Sequence, residues 1–207
     1  MSRYRGPRLR VIRRFGELPG LTRKVPKNTK SPGQHGKEAI ANQRLSFSDY
    51  KIRLFEKQKL RYNFGLTERQ LLNYVKQAQR KKGATGFLLV QALEMRLDTI
   101  LFRMGIAPTI PASRQFVNHG HVLVNGQRVD IPSFQCQPND VITFKTKKGT
   151  KDLIEQSLKS PRFSSLPDHL TFDSKTSKGN VLDLVDRKNL SFKINELLIV
   201  EYYSRIL

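Results

Sequence analysis

Between Leu89 and Met104 the apolar positions Leu89, Leu93, Leu97, Ile100, Leu101 and Met104 recur at helical intervals, a spacing that stacks side chains on one face of a helix. Gly105 ends the run. Thr109 then stands where a cap belongs, with Phe116 and Val117 facing inward and Arg114, Gln115 and Asn118 outward, until Gly120 offers a left-handed exit. Val122 and Val124 alternate with polar neighbours up to Asn125-Gly126, the dipeptide favoured in a two-residue type I′ turn, and the return strand holds Val129 and Ile131. The pattern predicts one helix running to Met104, a second to Asn118, and a hairpin.

Upstream, Ser48 and Asp49 can cap a helix in which Tyr50, Leu54, Lys57 and Arg61 share a face, with Phe55 and Leu60 available for a core. Thr67 and Gln70 make a capping box for a further helix carrying Leu71, Tyr74, Val75 and Ala78 inward. Downstream, Pro138-Asn139-Asp140 reads as a turn, and Val141–Phe144, Leu170–Phe172 and Val181–Val185 as strands. Residues 194–203 fit a β-branched, aromatic strand, or a helix capped by Asn195 with Glu196 in its first turn. Before residue 44 the recurrent Gly and Pro, from Gly6 and Pro7 to Gly36, break every periodic pattern. They predict an irregular arm that buries no core of its own.

Charge changes the picture. The 207 residues carry 38 Lys+Arg against 17 Asp+Glu, a formal net charge of +21. Most of the excess lies before residue 91. Such a surface attracts polyanions. No apolar run reaches the about 18 residues needed to span a bilayer, and the basic helices lack an interfacial apolar face, so no membrane partner is expected. The single cysteine, Cys136, forms no intramolecular disulfide.

Arginine forks, amides and imidazoles in this arrangement suit the phosphates, riboses and base edges of a folded RNA. The candidate RNA-binding residues are Arg3, Arg5, Arg8, Arg10, Arg13 and Arg14 in the arm, and Lys57, Lys59, Arg61, Arg69, Arg80, Lys81 and Lys82 on the helices. In the helix–hairpin module they are Arg103, Thr109, Ser113, Arg114, Gln115, Asn118, His119, His121, Asn125 and Arg128. Several have plainer roles. Thr109 can be only a cap, Asn125 only a turn residue, His119 only a helix-end hydrogen bonder, and cations closing a helix also answer its dipole. Arg114 is expected to be exposed, so that its loss weakens binding and leaves the fold intact. His119 and His121 are two ligands without a third, so no metal is expected, and no cofactor or small-molecule substrate is implied. Asp98, within Arg96-Leu97-Asp98, echoes a catalytic motif of pseudouridine synthases. Its helical, apolar context predicts an ion pair with Arg96, a nearby lysine or the following backbone, and no enzyme. A helix-turn-helix reader of duplex DNA would concentrate its cations on one helix, unlike this spread.

The segments RLD, RMG, SRQ, VNHGH, VNG and DIPS at 96–133 resemble small ribosomal subunit protein four, as do PGQHG at 32–36, EKQKLR at 56–61, GLTERQLLNYV at 65–75 and INELLIVEYYSR at 194–205. The opening MSRYRGPRLR and closing EYYSR resemble plastid members of that family. The resemblance implies an α+β fold: a helical domain of residues 44–89, completed by a C-terminal helix at 190–207. Into it an α/β RNA-binding module, residues 90–189, is inserted, with two helices, a hairpin and a small mixed sheet. The basic arm, 1–43, precedes them. It adds Gln34 and His35 to the candidate RNA-binding set. It further implies binding of small-subunit rRNA at a helical junction of the 5′ domain, contact with protein five, a role in assembly and translational accuracy, and a chloroplast stromal ribosome, or alternatively a bacterial cytoplasm. Zinc-binding relatives have an N-terminal cysteine cluster that residues 1–43 lack. Read this way, the arm acts through RNA and a chain beginning at Arg44 still folds.

Overall fold

The computed structural model describes residues 4–28, 30–33, 48–145, 154, 157, 166–173, 176–187, 192 and 194–205. They hold seven helices: α1 (Arg8–Phe15), α2 (Asp49–Asn63), α3 (Glu68–Arg80), α4 (Thr85–Glu94), α5 (Leu97–Arg103), α6 (Ile110–Asn118) and α7 (Glu196–Ser204). Five strands accompany them: β1 (Val122–Val124), β2 (Gln127–Arg128), β3 (Val141–Phe144), β4 (Leu170–Asp173) and β5 (Lys178–Val181). The chain divides into two compact units, residues 1–89 with 193–207, and residues 90–192. None of the described helices is long and apolar enough to cross a membrane.

In the helical unit, α7 packs along α2. The ambiguity at the C-terminus resolves as a helix, with the Asn195 side chain accepting from Leu197 N–H at 3.2 Å. The capping box on α3 is present, Gln70 N–H donating to Thr67 Oγ1 at 3.3 Å and Thr67 N–H to Gln70 Oε1 at 3.1 Å. The arm departs from the expected irregular segment. α1 buries Val11, Ile12 and Phe15, and Leu18 and Leu21 follow them inward. The Phe15 ring lies 4.9 Å from Phe55 and 5.5 Å from Tyr62, and Gly20 N–H donates to the buried Asn63 Oδ1 at 3.0 Å. Glycine and proline bracket this helix without entering it. Pro7, with φ −68°, stands at its cap, and Gly16, at φ +83°, stops it while donating its N–H to Ile12.

The apolar stripe expected on one helix is shared by two. Leu89 and Leu93 lie on α4 and Leu97, Ile100 and Leu101 on α5, all buried. The break falls at Met95-Arg96, where Arg96 takes extended geometry (ψ 142°) and bridges to Gln135. Segment 132–136 supplies the reason. Leu97 N–H donates to Phe134 O at 2.9 Å and Asp98 N–H to Pro132 O at 3.1 Å, answering donors that a helix start leaves orphaned. The return strand is shortened to Gln127–Arg128, so Val129 and Ile131, expected on it, lie beyond it and Ile131 is exposed.

The sheet has the order β2-β1-β3-β5-β4 and every pairing is antiparallel, in place of the expected mixed sheet. β5 begins at Lys178, earlier than the strand expected from Val181, because its register runs Asp173↔Lys178 through Leu170↔Val181. Gly179 leaves room there for a side chain from the end of α5. A Cβ would come within 2.7 Å of Met104 Cε and Sδ, so the helix-end methionine seats directly on the strand.

These contacts make three predictions. Leu18 is 1% exposed, so Leu18→Ala should cost about 2–5 kcal/mol, and a chain beginning at Arg44 should lose the cooperative melting of the helical unit. Denaturant titration checks both, and a truncated chain as stable as the parent would return the arm to a purely RNA-dependent role. His169 is buried, neither ring nitrogen has a partner among the described residues, and burial lowers its pKa below the usual 6.5 despite opposition from Glu94. The unfolded chain therefore takes up a proton that the folded one resists. The histidine's contribution is intact above that value and lost as pH falls through it, so His169→Leu should flatten the drop in Tm between pH 7.5 and 5.5.

Candidate nucleic-acid interface

The centre of the second unit is a carboxylate. Asp98 is fully buried, and Arg96 grips it with a fork: Nε to Oδ1 and Nη2 to Oδ2, both 3.0 Å. Arg114 reaches across from α6, its Nε donating to Asp98 Oδ2 at 2.8 Å, and its side chain is 16% exposed. The residue expected to stand outward is thus anchored into the fold. The expected Arg96–Asp98 pairing is present, and the carboxylate is unreachable by a nucleobase. Ser113 also turns inward, its hydroxyl donating to Thr109 O at 3.3 Å, while Thr109 Oγ1 accepts from Ala112 N–H at 3.3 Å as a cap.

What remains outward on α6 is its C-terminal turn. Gln115, Asn118 and His119 are exposed. His121 lies half-buried against the Phe116 ring at 4.9 Å, with His119 a further 6.0 Å from it. Arg128 joins them from β2. Its Nε and Nη2 lie 2.5 Å from where a Cβ on Gly120 would be, so only glycine, here at φ +69°, lets the guanidinium rest on the helix end. Gln115, Asn118, His119 and Arg128 therefore present donors from one corner of this unit. Asn125 is not among them. At φ 51° it makes the turn, donates Nδ2 to Asp140 Oδ1 at 2.8 Å and accepts from Val141 N–H at 2.9 Å, tying the hairpin to β3.

Five other expected contacts have partners within the protein. Lys57, its side chain 4% exposed, donates to Glu68 Oε1 at 2.8 Å and sits 4.5 Å over the Tyr202 ring. Burial alone would raise the Glu68 pKa, but Lys57 and the Tyr203 hydroxyl, donating at 2.7 Å, outweigh it and hold the carboxyl low. Arg103 forks onto Glu94, with Nε to Oε2 at 2.9 Å; burial opposes its charge and Glu94 more than restores it. Arg13 donates to backbone carbonyls of Lys30 and Ser31. Lys59 pairs with Glu56 at 3.7 Å, and Arg61 lies 4.6 Å over Tyr62.

Of the candidate cations in the helical unit, those exposed are Arg5, Arg8, Arg10 and Arg14 along the arm, and Arg69, Arg80, Lys81 and Lys82 on and after α3. Arg3, Gln34 and His35 lie outside the described residues. Lys24 and Lys27, exposed in the loop after α1, escaped the candidate set although their proline-punctuated setting marked them as surface. Among the described residues no three His, Cys, Asp or Glu gather as a metal site. The Cys136 thiol is pushed up to about 12 by burial, then by Asp140 and Asp98, which keeps it protonated and unreactive.

Asp98→Ala should destabilise by about 3–5 kcal/mol, because it strands the buried Arg96 charge. Arg114→Ala should lower Tm by the equivalent of about 1–3 kcal/mol, in contrast to the fold-neutral loss expected for an exposed arginine. Thermal melting checks both, and an unchanged Tm in either variant would show that the network carries no stability.

Two family models divide the chain: "Ribosomal protein S4/S9 N-terminal domain" matches residues 3–94 and "S4 domain" residues 95–142. The chain is 57% identical over 206 residues to small ribosomal subunit protein uS4c of Cyanophora paradoxa, covering 99% of this chain and 100% of that one. It is 56% identical over 205 residues to protein uS4 of Thermosynechococcus vestitus, and 56% to that of Acaryochloris marina, each match covering 99% of both chains. With nearly its whole length aligned at this identity, the chain belongs to the small ribosomal subunit protein uS4 family.

Proposed function

We propose that the chain binds small-subunit rRNA at a helical junction of the 5′ domain, with Gln115, Asn118, His119 and Arg128 as one contact surface and the exposed arm and α3 cations as others. As a uS4 family member it is a structural constituent of the small ribosomal subunit and not an enzyme. The observation that carries the RNA reading is the corner where Arg128 rests on Gly120 beside the exposed turn of α6. A cation, two amides and an imidazole there combine phosphate attraction with hydrogen bonding to riboses and base edges. Contact with protein five, support of assembly and of translational accuracy follow from the family resemblance. A plastid ribosome is supported by the uS4c relative and by the opening and closing segments, with a bacterial cytoplasm as the second reading.

If phosphate contacts dominate, affinity for structured rRNA should fall on the order of 10³-fold or more between ~50 and ~200 mM salt for ~6 contacts. Competition with duplex DNA at fixed salt should leave the complex intact. A flat salt response, or equal displacement by duplex, would overturn the proposal.

A further inference from the structure

The Arg13 guanidinium turns back on its own chain. From the last turn of α1 its Nε donates to Lys30 O at 2.8 Å, and its Nη2 reaches Ser31 O at 3.4 Å. A planar fork aimed at two successive carbonyls closes a loop of 17 to 18 residues. The loop is tethered at its near end by Leu18 and Leu21, both buried, and by Gly20 N–H on Asn63. Inside it, Lys24 N–H donates to Thr22 Oγ1 at 3.2 Å and Lys30 N–H to Asn28 Oδ1 at 2.9 Å, local turns that fix the backbone beside two of its cations. Lys24, Lys27 and Lys30 are all exposed.

We infer that Arg13 is a positioning residue. It shapes the loop of residues 22–28 and 30–31 so that Lys24, Lys27 and Lys30 meet RNA phosphates already ordered, and it does not spend its own charge on the RNA. This rests on the proposed rRNA binding and assigns work within it. Two observations separate Arg13 from Arg10 and Arg14 on the same helix. Those two are exposed, whereas Arg13 is half-buried and bonded to main chain. Lysine at this position would keep the charge but lose the fork. A phosphate ligand would tolerate that exchange better than a clamp would.

The discriminating experiment uses the full chain with Arg13→Gln and Arg13→Lys. In free protein, amide exchange across residues 22–28 should speed up about tenfold or more in Arg13→Gln and less in Arg13→Lys, with α2 and α3 unchanged. Affinity for structured rRNA should fall in both variants while the slope of log affinity against log salt stays that of the parent, because the same phosphates are engaged from a looser loop. In a Lys24→Ala/Lys27→Ala background, the effect of Arg13→Gln on affinity should largely vanish. Unchanged exchange would overturn the clamp. A slope reduced by about one, with effects additive to those of the loop lysines, would make Arg13 a phosphate ligand and overturn the positioning role. If the parent itself failed to bind rRNA, the functional reading would fall, whereas the exchange measurement, made without RNA, would still decide the clamp.

Discussion

The second unit depends on one buried carboxylate. Asp98 has no exposed surface, and an ionised group in that position is tolerable only when its lone pairs are taken up by charge-assisted donors. Arg96 supplies two and Arg114 a third, while the Asp98 backbone N–H is answered by Pro132 O. One side chain therefore fixes the start of α5, the register of segment 132–136 beneath it, and the approach of α6. Buried ion pairs are poor sources of net stability, since desolvation consumes most of the attraction. What this one provides is direction. Apolar contacts among Leu97, Ile100, Phe116 and Val117 would tolerate sliding of one short helix over another, whereas a fork on two carboxylate oxygens tolerates almost none.

That constraint reaches the surface. α6 carries Gln115, Asn118 and His119 on the face opposite Val117, so the helix rotation set through Arg114 also sets where those donors point. The hairpin is held separately. Asn125 ties its turn to Asp140 and Val141, and Arg128 settles against Gly120. Hydrogen-bond donors that read an irregular RNA need fixed spacing more than they need number. Here the spacing derives from polar contacts made within the protein.

How much of this was legible in the sequence depends on how far apart the partners lie along the chain. Periodicity placed Leu71, Val75, Phe116 and Val117 inward because each belongs to a regular element with its own repeat. The Asn125-Gly126 turn and the Thr67–Gln70 capping box were legible for the same reason, their chemistry being complete within four residues. The helix break at Arg96 was hidden, since an apolar stripe continues undisturbed across it and the donors' acceptors lie in a segment 34 or more residues on. The fates of Lys57 and Arg103 were hidden likewise. Glu68 and Glu94 stand 11 and 9 residues from them, outside any helical neighbour rule. In the arm, the weight of Gly and Pro obscured a stretch of eight residues, Arg8–Phe15, that contains neither.

The packed stretch of the arm from Arg8 to Leu21 alters the energetics of recognition. A disordered basic tail would regain its conformational entropy cost from the RNA at every binding event, lowering affinity for a given number of phosphates. Phe15, Leu18 and Leu21 meet that cost in advance by burial on the helical unit, so Arg5, Arg8, Arg10 and Arg14 are carried by a segment already fixed. The excess of 38 basic over 17 acidic residues accordingly serves two ends. Cations whose forks or ammonium groups meet a carboxylate inside, such as Arg96, Arg103 and Lys57, hold geometry at the cost of surface charge. Exposed cations such as Arg10, Arg14, Lys81 and Lys82 stay on the surface, where a polyanion relieves their mutual repulsion.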